Sequence, residues 1–205
     1  MKNANTVSRF SKTVATLLPR AGAAAAPAAA FAALALAFSL TLALAGCDKD
    51  GTAAAAAPAA AKTASDYFTI NVDAAPARMQ LAVEQPGNMT EMMRGLMGRR
   101  DLAEDQGMIF VYRDAQAVSF WMRNTPTALD IGFFTKDGVL REVRQMFPFD
   151  ETPVPSARAD IQFALEMNQN WFARHNLKSG ARLDVKALAD ALKARGFSPA
   201  DYGIR

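Results

Sequence analysis

Apolar and polar residues alternate along several short segments of this 205-residue chain. Residues 68–72 and 78–84 alternate with the period of two that is typical of a half-buried strand. Residues 107–112 carry almost no polar side chain, which predicts a strand near the centre of a sheet. Further strands are predicted at 118–123, 129–135, 139–146 and 161–167, with a short closing strand at 182–185.

Turn and helix signals separate these strands. Asp137-Gly138 is a strong hairpin signal, and the prolines of residues 147–159 predict a loop. Helices are predicted at 91–97, 170–176 and 186–195. Since no strand alternates with a long helix, the pattern predicts a mainly β protein. We expect a compact antiparallel β-barrel or sandwich-like domain with one or two short helices and a C-terminal helix.

Residues 1–46 differ in composition from the rest of the chain. They contain four basic and no acidic residues, and an apolar run at 28–45 leads into the sequence LAGC, which ends at Cys47. This pattern resembles the lipobox of bacterial lipoproteins, which implies cleavage before Cys47 and lipid on its thiol. An uncleaved membrane anchor is the alternative, because a run of this length is long enough to cross a bilayer. We therefore predict a signal peptide at 1–46.

A lipid on Cys47 predicts attachment to a membrane of the bacterial cell envelope, facing the periplasm or the exterior. The choice between inner and outer membrane stays open. Residues 47–66 are rich in Ala and contain no large aliphatic side chain, which predicts a flexible tether. The folded β domain is predicted at 67–185, followed by a C-terminal helix and tail at 186–205.

The net charge of +3 belongs to the N-terminal segment. Beyond residue 46 the chain has 19 basic and 20 acidic residues, so the domain has no overall positive field to hold a polyanion, and we expect no nucleic-acid partner. The single cysteine excludes an internal disulfide, and one cysteine with one histidine cannot form a Cys/His zinc site. We predict a monomeric domain without a cofactor.

Short motifs occur in a fixed order through the predicted β domain. They are RGLM at 94–97, GMIF at 107–110, FWMRNT at 120–125, LD at 129–130 and LE at 165–166. In this order and spacing they resemble the bacterial and archaeal family called domain of unknown function 192. The resemblance covers roughly residues 77–185 and implies a compact β-barrel-like domain. It implies no reaction.

The candidate site residues lie inside these apolar motifs. Five are polar and one is aromatic: Arg94, Arg123, Asn124, Asp130, Glu166 and Trp121. Because a charge buried alone costs several kcal/mol, we expect Arg94 or Arg123 to pair with Asp130 or Glu166. A structural ion-pair network is the simpler interpretation. The alternatives are a ligand pocket formed by the six residues, or an acid/base pair of the two carboxylates.

Methionines form a second candidate set. Their spacing places four methionines on one face of a helix: Met89, Met92, Met93 and Met97. They either fill the core or, as an alternative, bind Cu(I) through their thioethers. The sequence contains no P-loop, Rossmann or nucleophile-elbow motif. We therefore expect a non-catalytic ligand-binding or accessory role at the membrane surface, with a small molecule or an envelope protein as partner.

Overall fold

The structure is a computed structural model that describes residues 60–205. Most of the longer strands coincide with alternating or apolar segments of the sequence. In chain order the elements are β1 Phe68–Val72, β2 Ala75–Val83, α1 Thr90–Arg94, β3 Gln106–Gln116, β4 Ser119–Phe120, β5 Leu129–Phe134, β6 Leu140–Met146, β7 Val154–Pro155, β8 Ile161–Asn168, α2 Trp171–Arg174, α3 Val185–Ala194 and a 3₁₀ helix Pro199–Tyr202. The prediction of a mainly β domain is confirmed.

Six strands form one mixed sheet in the order β1-β2-β3-β8-β5-β6, and β4 pairs with β7 in a small second sheet. The larger sheet is antiparallel except for β2 and β3, which run parallel. A parallel pair requires a crossover connection, and residues 84–105 supply it and carry α1. The described part of the chain does not close into a barrel, so the sandwich-like form of the prediction is the compatible one.

Both faces of the sheet are covered. The first core lies between one face and the segments α2, α3 and the 3₁₀ helix, where Trp171, Leu188 and Tyr202 are buried. The second core lies on the other face, beneath the α1 segment and the small sheet, and includes Leu96 and Met122. Because β5 is central and covered on both sides, all six of its residues are buried.

Several predicted elements have different bounds in the structure. The strand expected at 118–123 is reduced to Ser119–Phe120, because the next residues turn away and the amide of Met122 donates to Asp150. Residues 182–185 form only single bridges with Val72 and Val139. The predicted loop at 147–159 contains the short strand β7.

Residues 186–205 pack into the first core. Helix α3 begins at the cap residue Asp184, whose carboxylate accepts a hydrogen bond from Ala187. Its apolar face buries Leu188 and Leu192, and Ile204 beyond it is buried in the same cluster. None of the helices within residues 60–205 is long and apolar enough to span a membrane. Cys47 and the apolar run at 28–45 lie outside the described residues.

Candidate functional site

A groove of about 690 Å³ lies on the second-core side of the domain. One wall is α1 with the turn that follows it, and the other is β4 with the residues after it. Every methionine of the candidate set lines the groove: Met89, Met92, Met93 and Met97. Tyr112, Phe120 and Trp121 supply aromatic surface. We call this surface the methionine groove.

The groove is open because α1 is short and lies at the surface. None of its residues is buried, and Met93 is 71% exposed. The helix ends at Gly95, whose φ of 47° is a conformation that side chains rarely adopt. Gly95 then directs Leu96 into the second core, where it is 3% exposed. The chain thus presents thioethers to solvent on one side of the turn and anchors itself on the other.

The opposite wall carries a cation beside an aromatic ring. The guanidinium of Arg123 lies 5.5 Å from the centre of the Trp121 ring, a cation–π contact. Trp121 is 45% exposed. Asn124 has a φ of 53° and accepts, through its carbonyl, a hydrogen bond from the amide of Gly98. That bond fixes the two walls relative to each other across the groove.

Glu166 lies beneath the groove, in a small inner cavity of about 40 Å³. The inner cavity shares six lining residues with the methionine groove, so it lies directly under the groove floor. Glu166 projects from central strand β8 between Met108 of β3 and Ile131 of β5. Within the described residues its Oε2 atom has no hydrogen-bond partner. Burial raises the pKa of Glu166 to about 8, so the carboxyl is protonated at neutral pH.

No charged neighbour contributes to the raised pKa of Glu166 in the described part of the protein. Gly95 has a second role here. A Cβ atom on Gly95 would lie 3.3 Å from Cζ of Phe110 and 3.9 Å from Oε2 of Glu166. The absent side chain therefore keeps space open in front of the carboxyl.

Asp130 is the second buried carboxyl, and it lies on the other face of the sheet. Its strand neighbours Leu129 and Ile131 belong to the second core, whereas both neighbours of Glu166 belong to the first. Side chains alternate between faces along a strand, so Asp130 and Glu166 point to opposite sides. The acid/base pair of these two carboxylates is therefore wrong.

Asp130 is held by backbone rather than by a cation. Its Oδ2 atom accepts a hydrogen bond of 2.8 Å from the amide of Asn170, which has a left-handed φ of 67°. Burial raises the pKa of Asp130, while the Asn170 bond and the charge of Arg174 oppose that shift. In the described range neither Arg94 nor Arg123 forms a salt bridge. The predicted ion pairs are therefore wrong.

Five of the six predicted site residues do converge. Arg94, Trp121, Arg123 and Asn124 line the methionine groove, and Glu166 lines the inner cavity together with Arg94 and Trp121. Sequence reasoning missed Tyr112 and Gly95. The signal for Gly95 is its place inside RGLM, directly after the helix. The signal for Tyr112 is the aromatic ring at the end of an otherwise aliphatic strand.

Residues 70–185 match the DUF192 family, whose description is "Uncharacterized ACR". The match covers more than half of the chain. This chain belongs to the DUF192 family. No curated protein matches the chain. No group of three or more His, Cys, Asp or Glu residues within 60–205 is placed to hold a metal ion.

Two solved structures resemble this DUF192 domain. One is a protein of Sinorhizobium meliloti 1021 with a proposed role as a transcription regulator; it is 29% identical, with a TM-score of 0.51, and the match covers 57% of this chain and 91% of that one. The other is a protein of unknown function from Novosphingobium aromaticivorans DSM 12444; it is 32% identical, with a TM-score of 0.50, and the match covers 57% of this chain and 82% of that one.

The C-terminal helix lies beyond the DUF192 match but contacts the groove wall. Arg195, at the end of α3, forms an ion pair with Glu91 of α1, with a shortest distance of 2.7 Å. The same guanidinium donates to the carbonyl oxygen of Leu81 at 2.6 Å. A residue outside the DUF192 region thereby ties α1 to strand β2.

Proposed function

We propose that this DUF192 domain is a non-catalytic ligand-binding domain of a bacterial cell-envelope lipoprotein. The observation that carries the proposal is the methionine groove with the neutral Glu166 carboxyl beneath its floor, whose Oε2 atom has no hydrogen-bond partner within residues 60–205. Ligand sites are mostly apolar concave surfaces with a few placed polar groups, and the groove has that character. Methionine side chains adapt to different ligand shapes, which suits a binding surface.

The positions of the titratable groups support binding rather than acid/base chemistry. The second carboxyl, Asp130, faces the other core. His175 packs against Trp171, with ring centres 4.8 Å apart, at the end of α2 on the first-core side. Among the described residues of the groove, Glu166 therefore has neither a carboxylate nor a histidine partner for proton transfer.

Groove binding is tested with two matched variants of the full-length protein in detergent. Met93→Glu places a charge in the groove, and Phe147→Glu places the same charge on an exposed apolar residue outside it; the two are 71% and 56% exposed. A library of amphiphilic small molecules is screened by thermal shift. We expect compounds that raise the melting temperature of the wild type and Phe147→Glu but not of Met93→Glu. A library without any such compound would contradict ligand binding at the groove.

Lipid attachment at Cys47 is part of the proposal and needs its own test. The LAGC sequence after the apolar run at 28–45 supports it. Cells that express the wild type or Cys47→Ser are labelled with a fatty-acid probe, and we expect label on the wild type alone. Label retained by Cys47→Ser would show that the anchor lies elsewhere. The expected place is an envelope membrane, with the domain facing the periplasm or the exterior.

Cu(I) binding is the second candidate function. It is favoured by the lining of one groove by four thioethers, with Met89 and Met93 exposed. Cu(I) is titrated against the chelator bicinchoninate with the wild type and with Met92→Leu/Met93→Leu, which keeps the apolar volume. Stoichiometric Cu(I) uptake that disappears in the double variant would support this candidate over a small organic ligand.

A further inference from the structure

The inner cavity selects for a polar group that can hydrogen-bond with Glu166. Glu166 is 5% exposed, and its strand neighbours across the sheet, Met108 and Ile131, are apolar. Its Oε2 atom has no partner within residues 60–205. A buried polar atom left unpaired is unfavourable, so an apolar ligand group in the cavity would leave that cost in place. A group that hydrogen-bonds with Oε2 removes it.

The size of the inner cavity sets an upper limit on the group that enters. A water molecule needs roughly 10–15 Å³ of such volume, and the cavity has about 40 Å³. It therefore accepts an ammonium with one or two methylene groups, but not an aromatic ring. The wider methionine groove, with about 690 Å³, holds the remainder of the ligand.

The charges of the groove favour an anionic group. The charged residues that line it, within the described range, are Arg94 and Arg123, and both are exposed. Arg94 also borders the inner cavity. Neither arginine has a carboxylate partner among the described salt bridges. A lone amine would be repelled by these cations, and a lone carboxylate would leave Glu166 without a positively charged partner.

We infer that the site takes a linear zwitterion with its ammonium end against Glu166, an apolar spacer across the methionines and its anionic end beside Arg123. This inference rests on the proposed binding function and names the ligand class. The methionines and Phe120 contact the spacer, and Glu166 gives up its proton to solvent when the ammonium binds. An ammonium–carboxylate hydrogen bond is stronger than a neutral one, and this gain offsets the cost of ionising Glu166 at neutral pH.

Three probes with six carbon atoms each separate the contributions of the two charged ends: aminohexanoate, hexanoate and hexylamine. Binding to the full-length protein is measured at pH 7 by isothermal titration calorimetry in two buffers with different ionisation enthalpies. We expect aminohexanoate to bind about tenfold more tightly than either of the other probes. We also expect its binding to release close to one proton, because the pKa of Glu166 is about 8 in the empty site.

Variants assign the two ends of the probe. Glu166→Gln removes the proton release and the advantage of aminohexanoate over hexanoate. Arg123→Gln, at an exposed position, removes its advantage over hexylamine. Asp130→Asn is the matched control, because it makes the same change to a buried carboxyl on the other face of the sheet. It leaves the affinity for aminohexanoate unchanged.

Other outcomes overturn the inference in different ways. Tighter binding of hexanoate without proton release would show a neutral Glu166 that donates to an anion. Equal binding of hexylamine and aminohexanoate would remove the role of Arg123. If no probe binds but the amphiphile library yields groove ligands, the zwitterion is wrong and groove binding stands. If the library fails as well, both proposals fall.

Discussion

The two faces of the sheet are closed in different ways. Within residues 60–205 the first core contains 24 buried hydrophobic residues and the second contains 12. Two helices and a 3₁₀ helix seal the first face, whereas a five-residue helix and strands of two residues cover the second. The second face thus has a smaller core and leaves the side chains of Met89, Met93 and Trp121 exposed. The contrast separates a supporting face from a binding face.

The two buried carboxyls show the same contrast at the level of single residues. Asp130 and Glu166 are 3% and 5% exposed, so burial alone does not distinguish them. Asp130 accepts a backbone hydrogen bond and lies near Arg174, which fastens β5 to the start of α2. Within residues 60–205 each carboxyl has one buried oxygen without a hydrogen-bond partner, Oδ1 of Asp130 and Oε2 of Glu166. Only Asp130 has its other oxygen bonded to the backbone. The partner, rather than the depth, separates a structural carboxyl from one that is available to a ligand.

Truncation in the first core should have the largest effect. Phe172 is 2% exposed and packs edge-on against Trp171, with ring centres 5.1 Å apart. We expect Phe172→Ala to lower the free energy of unfolding by about 3–5 kcal/mol. Phe120→Ala, in the half-exposed groove wall, should lower the free energy of unfolding by clearly less. Urea denaturation measures both, and equal losses would contradict the contrast between the faces.

Removal of Arg195 should have the next largest effect. Its side chain is 5% exposed, and Arg195→Gln leaves the carboxylate of Glu91 and the carbonyl of Leu81 without their donor. We expect a loss of about 1–3 kcal/mol and faster amide hydrogen exchange in α1. Lys193→Gln, which breaks an exposed pair with Asp190, is the control and should change neither. Unchanged exchange in α1 would mean that Arg195 does not hold the groove wall.

Glu166 should give the protein a pH dependence of stability. Its pKa is about 8 in the folded protein against 4.5 in the unfolded chain, so between these values the folded state binds more protons. The free energy of unfolding therefore falls as pH rises, by up to about 1.4 kcal/mol per pH unit. Glu166→Gln should flatten this slope. Asp130→Asn should flatten it less, because the Asn170 hydrogen bond and the charge of Arg174 oppose the rise in the pKa of Asp130. Urea titrations at pH 5, 6, 7 and 8 provide the comparison, and an unchanged slope in Glu166→Gln would refute the assignment.

Exposed groove residues should matter least for folding. Met93→Ser and Trp121→Ser alter side chains that are 71% and 45% exposed. We expect Met93→Ser to change the free energy of unfolding by no more than about 0.5 kcal/mol. The same variant should lose the thermal shift that groove ligands produce. A large loss of stability would place Met93 in the supporting structure instead.

The alternation of the sequence is sufficient to predict most strands, because one or both faces of each are buried. The pattern also shows that Asp130 lies opposite Leu129 and Ile131. The pattern does not show whether Asp130 and Glu166 lie on the same face of the sheet. That depends on how β5 and β8 pair, and in the structure Ile131 rather than Asp130 lies opposite Glu166. The prediction of an acid/base pair failed for this reason, because the two carboxyls lie on opposite sides of the sheet.

Long-range contacts explain the other differences. The parallel pairing of β2 with β3 depends on the crossover at residues 84–105, which carries no strand signal. The bond between Arg195 and Glu91 joins residues 104 positions apart. Within the RGLM motif, the helix ends early because Gly95 takes a positive φ, a conformation that the glycine permits but does not dictate.

Strand β8 gives the chain an order of events during folding. It lies between β3 and β5, although both precede it in the sequence, and its first pair joins Gly107 to Met167. Until residues 161–168 arrive, one edge of β3 and one edge of β5 lack their partner, and open edges invite association with other chains. Such distant pairing slows folding. A chain that ends before residue 161 is therefore expected to aggregate, whereas completion of β8 joins the two halves in one step.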